Sequence, residues 1–85
     1  MFQVRFSPKA HKFLEDCESD LRERIIKKLE LLQSDPFPRE AKRLAGWGEK
    51  LMRVRVGDYR ILYAVSHHEN VIVVARIDKR GRVYE

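Results

Sequence analysis

The sequence predicts a small α+β domain in which two N-terminal helices pack on one face of a mainly antiparallel sheet, in the order β-α-α-β-β-β. Three observations predict this class. An alternating apolar and polar segment opens the chain, two segments with apolar residues at helical spacing follow it, and three alternating segments separated by turn residues occupy the second half. The chain has 85 residues, which is enough for a single domain over residues 1–85 and too few for two.

The first strand and both helices are expected before residue 35. Phe2–Phe6 alternates apolar and polar residues, as a half-buried strand does. Ser7-Pro8 supplies an N-cap hydroxyl and a proline for the first helical position, so a helix is predicted from there to about Cys17. Ser19 is expected to cap a second helix, which ends near Ser34 because the proline-rich segment that follows cannot continue it.

The second half of the chain is predicted to form a three-stranded meander. Residues 39–50 show no regular period and are expected to form an irregular loop with at most one helical turn. Leu51–Val56 alternates, and Gly57-Asp58 places glycine first, as a type II′ hairpin turn prefers. Tyr59–Val65 is then the returning strand, and Val71–Ile77 is the third strand, after a polar loop.

Charge is distributed unevenly along the chain. The formal net charge is +5, and it arises entirely after residue 38, where most of the basic residues are arginine. Arginine suits forked contacts with phosphate, so a basic half indicates a polyanionic partner, most often nucleic acid. A generally basic surface that maintains solubility is the alternative, and charge alone does not separate the two.

Several classes of protein are disfavoured by composition. No apolar run approaches the roughly 20 residues that span a bilayer, and we expect a cytoplasmic protein without a membrane segment or secretion leader. The single cysteine, Cys17, cannot form an internal disulfide or a cysteine-based metal cage. His67, His68 and Glu69 are adjacent residues whose side chains point apart, and no further metal ligand is near them in the sequence. They are therefore interpreted as an exposed loop rather than a metal site.

Counting residues across the predicted hairpins aligns three arginines. The two-residue turn places Arg55 opposite Arg60, and a five-residue loop over 66–70 places Arg60 opposite Arg76. Arg53 lies one step along the same face. Like charges that face each other destabilise a sheet, so the row is interpreted as an anion pocket for phosphates. The alternative is that these arginines are solvated or paired with Asp78 or Glu40.

The same register predicts an apolar stretch beside the arginines, which we expect to receive an apolar anchor of a protein partner. Its members are Leu62, Ala64, Ile72 and Val74. Beyond the strands, the segment from residue 78 to 85 is expected to be a basic tail. If it folds back, Arg80 and Tyr84 reach the arginine row; the alternative is a frayed, solvated chain end.

Three segments resemble the RelE family of toxins, within the RelE/ParE superfamily. They are Arg43-Leu44-Ala45-Gly46, the run from Met52 to Tyr63 that contains RVRVGDYRILY, and Asp78-Lys79-Arg80-Gly81-Arg82-Val83-Tyr84. The element order is also similar, so the resemblance covers essentially the whole chain. The tail with Arg80 and Tyr84 favours the RelE branch over the ParE branch.

The resemblance implies a toxin of a type II toxin–antitoxin system that cuts mRNA in the ribosomal A site and stops translation. The RNA 2′-OH is then the nucleophile, and neither a metal nor a cofactor is expected. The catalytic residues implied are Arg53, Arg55, Arg60, Arg80 and Tyr84; the implied RNA-binding residues are Arg76, Lys79 and Arg82.

The resemblance also implies two partners, the ribosome of the 70S type with its mRNA, and a cognate RelB-like antitoxin. The antitoxin is expected to be acidic and partly disordered, and to form a higher-order hetero-oligomer with the toxin. Two other functions stay open: a ParE-like inhibitor of DNA gyrase on the same scaffold, and a non-catalytic RNA-binding module.

Overall fold

The computed structural model describes residues 1–44 and 51–79. It confirms the predicted fold class, two helices against a mostly antiparallel sheet, and adds one short strand within the segment expected to be irregular. In the described ranges, no helix has the length and apolar character needed to cross a membrane. The elements are β1 (Gln3–Phe6), α1 (Pro8–Asp16), α2 (Ser19–Ser34), β2 (Lys42–Arg43), β3 (Leu51–Val56), β4 (Tyr59–Ser66) and β5 (Val71–Lys79).

The strands form one sheet in the order β1-β5-β4-β3-β2. The pairing of β1 with β5 is parallel, and the other three pairings are antiparallel. Both helices cover one face, where the core forms; we call the opposite face, turned away from α1 and α2, the distal face. The core contains Ala10, Leu14, Ile25, Leu29, Leu32, Met52, Val54, Val56, Ile61, Tyr63, Ile72, Val74 and Ile77.

The start of α1 agrees with the sequence, and the start of α2 does not. The Ser7 hydroxyl accepts a hydrogen bond from the Ala10 N–H at 3.1 Å, and Pro8 is the first helical residue. Ser19, expected as a cap, is instead the first residue of α2. Glu18 occupies the N-cap position and makes no capping hydrogen bond with its side chain. The first turn of α2 therefore lacks the hydroxyl cap that stabilises α1.

The β3–β4 hairpin has the predicted register. Val56 pairs with Tyr59 and Arg55 pairs with Arg60. Gly57 has a φ of +59°, whereas Asp58 is not among the described residues with positive φ. This is the pattern of a type II′ turn, in which only the first central residue has positive φ. A two-residue turn of this kind permits one register only, which is why counting from the sequence succeeded here.

The predicted β4–β5 register was wrong, because two one-residue shifts separate it from the observed one. Val71 pairs with Ser66 rather than with Val65, so the connecting loop has four residues rather than five. Farther along, the pairing passes from Tyr63–Val74 to Leu62–Arg76, which leaves Ala75 as a bulge residue. Between the two shifts, every β5 side chain lies on the opposite face from the one predicted.

The shifts change the surroundings of the arginines. Arg60 faces Asp78 and not Arg76, and Arg76 faces Leu62. The strand also continues two residues past its predicted end at Ile77, which brings Asp78 into the sheet. An acidic side chain thus lies on the face that was expected to carry only basic and apolar residues.

Candidate anion-binding site

A basic cavity of about 330 Å³ opens at the β2 edge of the sheet. Four cationic side chains and one carboxylate line it, so its formal charge is +3. The lining residues are Arg39, Glu40, Lys42, Arg53 and Arg55. A concentration of forked and single cations around one cavity of this size favours an anionic ligand with several oxygen atoms, such as a phosphodiester.

Strand β2 brings the cavity residues together. Lys42 pairs with Arg53, and Arg43 pairs with Met52. The pairing continues one residue outward, where the Leu44 N–H donates to the Leu51 carbonyl at 2.9 Å. Facing residues in an antiparallel pair lie on the same side of the sheet, so Lys42 is held beside Arg53 on the distal face.

The one acidic residue that lines the cavity, Glu40, forms an ion pair with Lys28 of α2. The Lys28 ammonium lies 3.0 Å from Glu40 Oε2, and the Lys28 side chain is only 22% exposed. A hydrogen bond from its own backbone N–H lowers the pKa of Glu40, and Lys28 lowers it further. Glu40 therefore stays ionised at neutral pH, and it offsets part of the positive charge around the cavity.

Arg60 and Arg76 form a second group around Asp78. Arg60 Nε lies 2.7 Å from Asp78 Oδ1 and its Nη2 lies 3.4 Å from Oδ2, whereas Arg76 Nε lies 3.4 Å from Oδ2. Arg60 is 8% exposed, and the Arg76 side chain is 52% exposed. The expected single row of arginines is therefore divided into Arg53 and Arg55 at the basic cavity and a pair bridged by a carboxylate.

Of the remaining predicted site residues, the structure describes only Lys79. Lys79 pairs with Tyr59, whose ring contacts Phe13 of α1 at a centroid distance of 5.7 Å. Lys79 thus extends from the helix-covered side of the sheet, away from Arg53 and Arg55. Arg80, Arg82 and Tyr84 fall outside the described residues.

The apolar stretch expected to receive a partner is not a surface. Ile72 and Val74 are fully buried in the core, and Leu62 is 2% exposed. Only Ala64 of the four is half-buried. The four-residue loop before β5 turns Ile72 and Val74 toward the helices, which is why the prediction failed.

Sequence reasoning missed two cavity residues, Arg39 and Lys42. A two-residue strand of charged amino acids has no hydrophobic period, so nothing in the sequence indicated that residues 42 and 43 pair with β3. The only signal is compositional, a cluster of basic residues just after the prolines that end α2.

The described cavity is suited to hold an anion and to stabilise negative charge that grows during a reaction. Arginine stays protonated at all physiological pH values, so Arg53 and Arg55 supply charge and hydrogen bonds rather than proton transfer. Glu40 is the one described lining group that can accept a proton.

Comparison with known proteins identifies the family of this fold. The family described as ParE toxin of type II toxin-antitoxin system, parDE, matches residues 4–84. The chain is 29% identical over 87 residues to RelE1 of Methanocaldococcus jannaschii, which is named as a toxin; the match covers 99% of this chain and 96% of that protein.

One chain in each of two solved toxin–antitoxin complexes is similar to this protein over nearly its whole length. The archaeal RelE–RelB complex from Pyrococcus horikoshii has a chain 30% identical, with a TM-score of 0.82, covering 96% of this chain and 98% of that one. The intact Escherichia coli RelBE toxin–antitoxin complex gives 28% identity and a TM-score of 0.77, covering 96% and 100%. The chain therefore belongs to the ParE toxin family of type II toxin–antitoxin systems, within the RelE/ParE superfamily.

Proposed function

We propose that this toxin is a ribosome-dependent, metal-independent endoribonuclease that cuts mRNA in the ribosomal A site. The single observation that carries the proposal is the basic cavity, where Arg53 and Arg55 converge with Arg39 and Lys42. The similarity to RelE proteins supports it. A ribosomal target also means that the toxin acts in the cytoplasm.

The cavity is suited to the charge that RNA cleavage develops. The 2′-hydroxyl loses its proton and its oxygen attacks the adjacent phosphorus. The bond from phosphorus to the 5′-oxygen then breaks, and the 5′-oxygen takes up a proton. The five-coordinate phosphorane between reactant and product carries extra negative charge. Arg53 and Arg55 are the proposed catalytic residues that stabilise this charge, and such electrostatic stabilisation usually contributes more to the rate than any other effect. Arg80 and Tyr84 keep the catalytic roles implied by the resemblance, and Arg82 keeps its role in RNA binding. Lys79 lies on the helix-covered side of the sheet, so its proposed contact with RNA is outside the basic cavity.

Arg60 receives a different role from the one expected. Two of its guanidinium nitrogens lie against Asp78, and the residue is nearly buried. We therefore assign Arg60 to holding β4 against β5 beside the site, next to Arg55, as a positioning residue. Arg76, whose side chain is half exposed beside the same carboxylate, is the better candidate for contact with RNA.

Proton transfer is weakly supplied by this set of residues. Glu40 is ionised, but Lys28 and the backbone lower its pKa and make it a weak base. Free toxin is therefore expected to cut naked RNA slowly, with the ribosome needed to align the 2′-OH with its phosphate.

The test is primer extension on a translated mRNA after the toxin is induced, with purified ribosomes programmed with mRNA as the in vitro counterpart. Arg55→Ala should lower the cleavage rate by roughly 100-fold or more, the usual loss for one group that stabilises a transition state. Arg5→Ala is the matched control, because Arg5 is also exposed on the distal face but lies on β1, at the far edge of the sheet. Chelation of divalent metal before a single-turnover reaction should leave the cleavage rate unchanged, at chelator concentrations that keep the ribosome assembled.

Two results would contradict this function: equal cutting of naked and ribosome-bound RNA, or an Arg55→Ala variant as active as Arg5→Ala. One observation favours a second candidate, since the matching family is described as ParE. A ParE-like inhibitor of gyrase would arrest DNA replication before translation after induction, and no mRNA ends would appear.

We also propose a cognate RelB-like antitoxin as partner, in a higher-order hetero-oligomer. The similar structures from P. horikoshii and E. coli are RelE–RelB complexes. An acidic, partly disordered chain is complementary to a toxin of formal charge +5. Co-expression should protect cells from the toxin, and the mass of the purified complex should give its stoichiometry.

A further inference from the structure

A second, aromatic cavity lies beside the same edge strand. Its volume is about 190 Å³. Met52 and Val65 give it an apolar floor on β3 and β4, the rings of Phe37 and His67 line it, and Arg43 of β2 adds a cation. Pockets for drug-sized ligands are larger, about 300–1,000 Å³, so this one suits a single small planar group.

Phe37 is exposed, yet the loop around it is firmly held. The residue is 45% exposed. On its N-terminal side, the buried Tyr63 hydroxyl donates to the Pro36 carbonyl at 2.7 Å, and the Phe37 N–H donates to Asp35 Oδ1 at 3.2 Å. Prolines at both neighbouring positions restrict the backbone further. An apolar ring held outward in this way is preorganised for contact with a ligand.

Phe37 belongs to a row of three rings. It is stacked on His67 at a centroid distance of 5.5 Å and an interplanar angle of 22°. Phe2 also contacts His67, edge-on, at a centroid distance of 5.8 Å and an interplanar angle of 77°. The contacts with Phe2 and His67 orient the exposed ring of Phe37, so that it offers a fixed flat surface at the mouth of the cavity.

The two cavities lie on opposite sides of β2. Lys42 lines the basic cavity and Arg43, the next residue, lines the aromatic one. Successive side chains of a strand point to opposite faces, and β2 is the edge strand of the sheet. A single-stranded nucleic acid that crosses this edge meets the cations of the basic cavity on one side of β2 and the exposed ring of Phe37 on the other. The two cavities are lined by consecutive residues of β2, Lys42 and Arg43.

We propose that the aromatic cavity binds one nucleobase of single-stranded RNA, stacked on Phe37, while a neighbouring phosphate of the same strand occupies the basic cavity. This rests on the proposed RNA target. Arg43 among the lining residues favours a nucleotide over a purely apolar protein side chain, because it supplies a cation for the sugar–phosphate backbone. Stacking on an aromatic ring does not by itself select a base. The small volume of the cavity therefore supplies the preference, for pyrimidines over the larger purines.

The experiment measures binding of a labelled RNA hexamer with 2′-O-methyl sugars. The methyl group blocks the 2′-oxygen as a nucleophile, so this RNA binds without being cut. Phe37→Ala should weaken binding roughly 5- to 150-fold, the range for the loss of one base–aromatic stack. Phe37→Tyr should bind as the wild type does, and Phe37→Leu should resemble the alanine variant, because leucine keeps apolar volume without a ring face. Leu31→Ala is the matched control, since Leu31 is a large apolar residue on α2 with 67% exposure.

A hexamer of the same length with abasic sugars separates base stacking from phosphate binding. The wild type and Phe37→Ala should bind it equally, because only the base is read by the ring. Circular dichroism spectra should be the same for all variants, since Phe37 lies in a loop and is half exposed.

Any of four results would overturn the nucleobase site. They are failure of the wild type to bind the hexamer, unchanged binding by Phe37→Ala, wild-type binding by Phe37→Leu, or an equal defect of Phe37→Ala on abasic RNA. Wild-type binding by Phe37→Leu would instead indicate that position 37 makes a general apolar contact with the RNA and that no base stacks on a ring there. These results are independent of the ribonuclease test, because a chain that never cuts mRNA in cells can still bind this hexamer through Phe37.

Discussion

Removing the charge of Asp78 should destabilise the sheet, because it leaves the nearly buried guanidinium of Arg60 without its counter-ion. Asp78→Asn keeps the shape of the side chain and one acceptor oxygen, but it removes the charge that faces a nearly buried guanidinium. The Arg60 side chain is 9% exposed and that of Asp78 is 20% exposed, with the shortest contact at 2.7 Å. Water screens a charge at this depth only weakly, so the loss of one partner leaves the other charge largely uncompensated.

The expected loss follows from that burial. Removing one partner of a buried pair costs about 3–5 kcal/mol, whereas a hydrogen bond to a charged group contributes about 1.5–3 kcal/mol. Asparagine retains an acceptor and position 78 is partly hydrated, so the lower range applies, at about 2 kcal/mol. In a domain of this size each kcal/mol shifts the melting temperature by about 4–8 °C, which gives a decrease of roughly 8–16 °C.

Thermal unfolding followed by circular dichroism measures this decrease. Asp16→Asn is the control, since it removes the same charge from an exposed pair in which Lys12 Nζ lies 3.1 Å from Asp16 Oδ2. Exposed pairs contribute little, so the control should melt close to the wild type. If Asp78→Asn melts with the control, Asp78 does not stabilise the sheet through Arg60, and the positioning role assigned to Arg60 is wrong.

Two further variants test the elements that fix the sheet and the loop before β2. Burial raises the pKa of Tyr63, so the folded protein keeps a proton that the unfolded chain releases near pH 10. Stability should therefore be full below about pH 10 and decline above it. Tyr63→Phe, which loses the bond to Pro36, should cost about 1 kcal/mol at neutral pH and flatten that alkaline decline in urea titrations; an equally steep decline would contradict the reasoning. Gly57→Ala should cost about 1–2 kcal/mol, because Gly57 has a φ of +59° and its new Cβ would contact the Arg24 guanidinium. Adding Arg24→Ala should not restore stability, since the backbone strain remains; full recovery would make the contact the cause.

The parts of the fold that were predictable have strong local signals. Gly57-Asp58 restricts its hairpin to one register, so the facing pair Arg55 and Arg60 followed from counting. The polar loop between β4 and β5 contains no such restriction, and its length was misjudged by one residue. The bulge at Ala75 has no sequence signature; the Ser7 hydroxyl, 68 residues away in the chain, donates to the Ala75 carbonyl at 2.7 Å.

The candidate site was predictable to the same extent. Arg53 and Arg55 lie on a strand with clear alternation, and their shared face could be read directly. Asp78 was assigned to the tail because the apolar alternation ends at Ile77, although backbone pairing continues through Lys79. Pairing of the arginines with Asp78 was the alternative that the sequence offered, and the structure confirms it for Arg60 and Arg76. Which strand residue faces Asp78 could be decided only from the register.

The parallel pairing of β1 with β5 determines when this protein can fold during its own synthesis. Gln3 meets Val71, so the first strand waits for a partner strand that is translated 68 residues after it. Until then, α1 and α2 lack the β1–β5 part of the sheet against which they bury apolar residues, and helices of this length are marginal alone in water. Long-range closure of this kind is slow compared with local contacts. The nascent chain therefore stays incompletely folded until β5 has been synthesised, and no earlier length of chain can close the sheet.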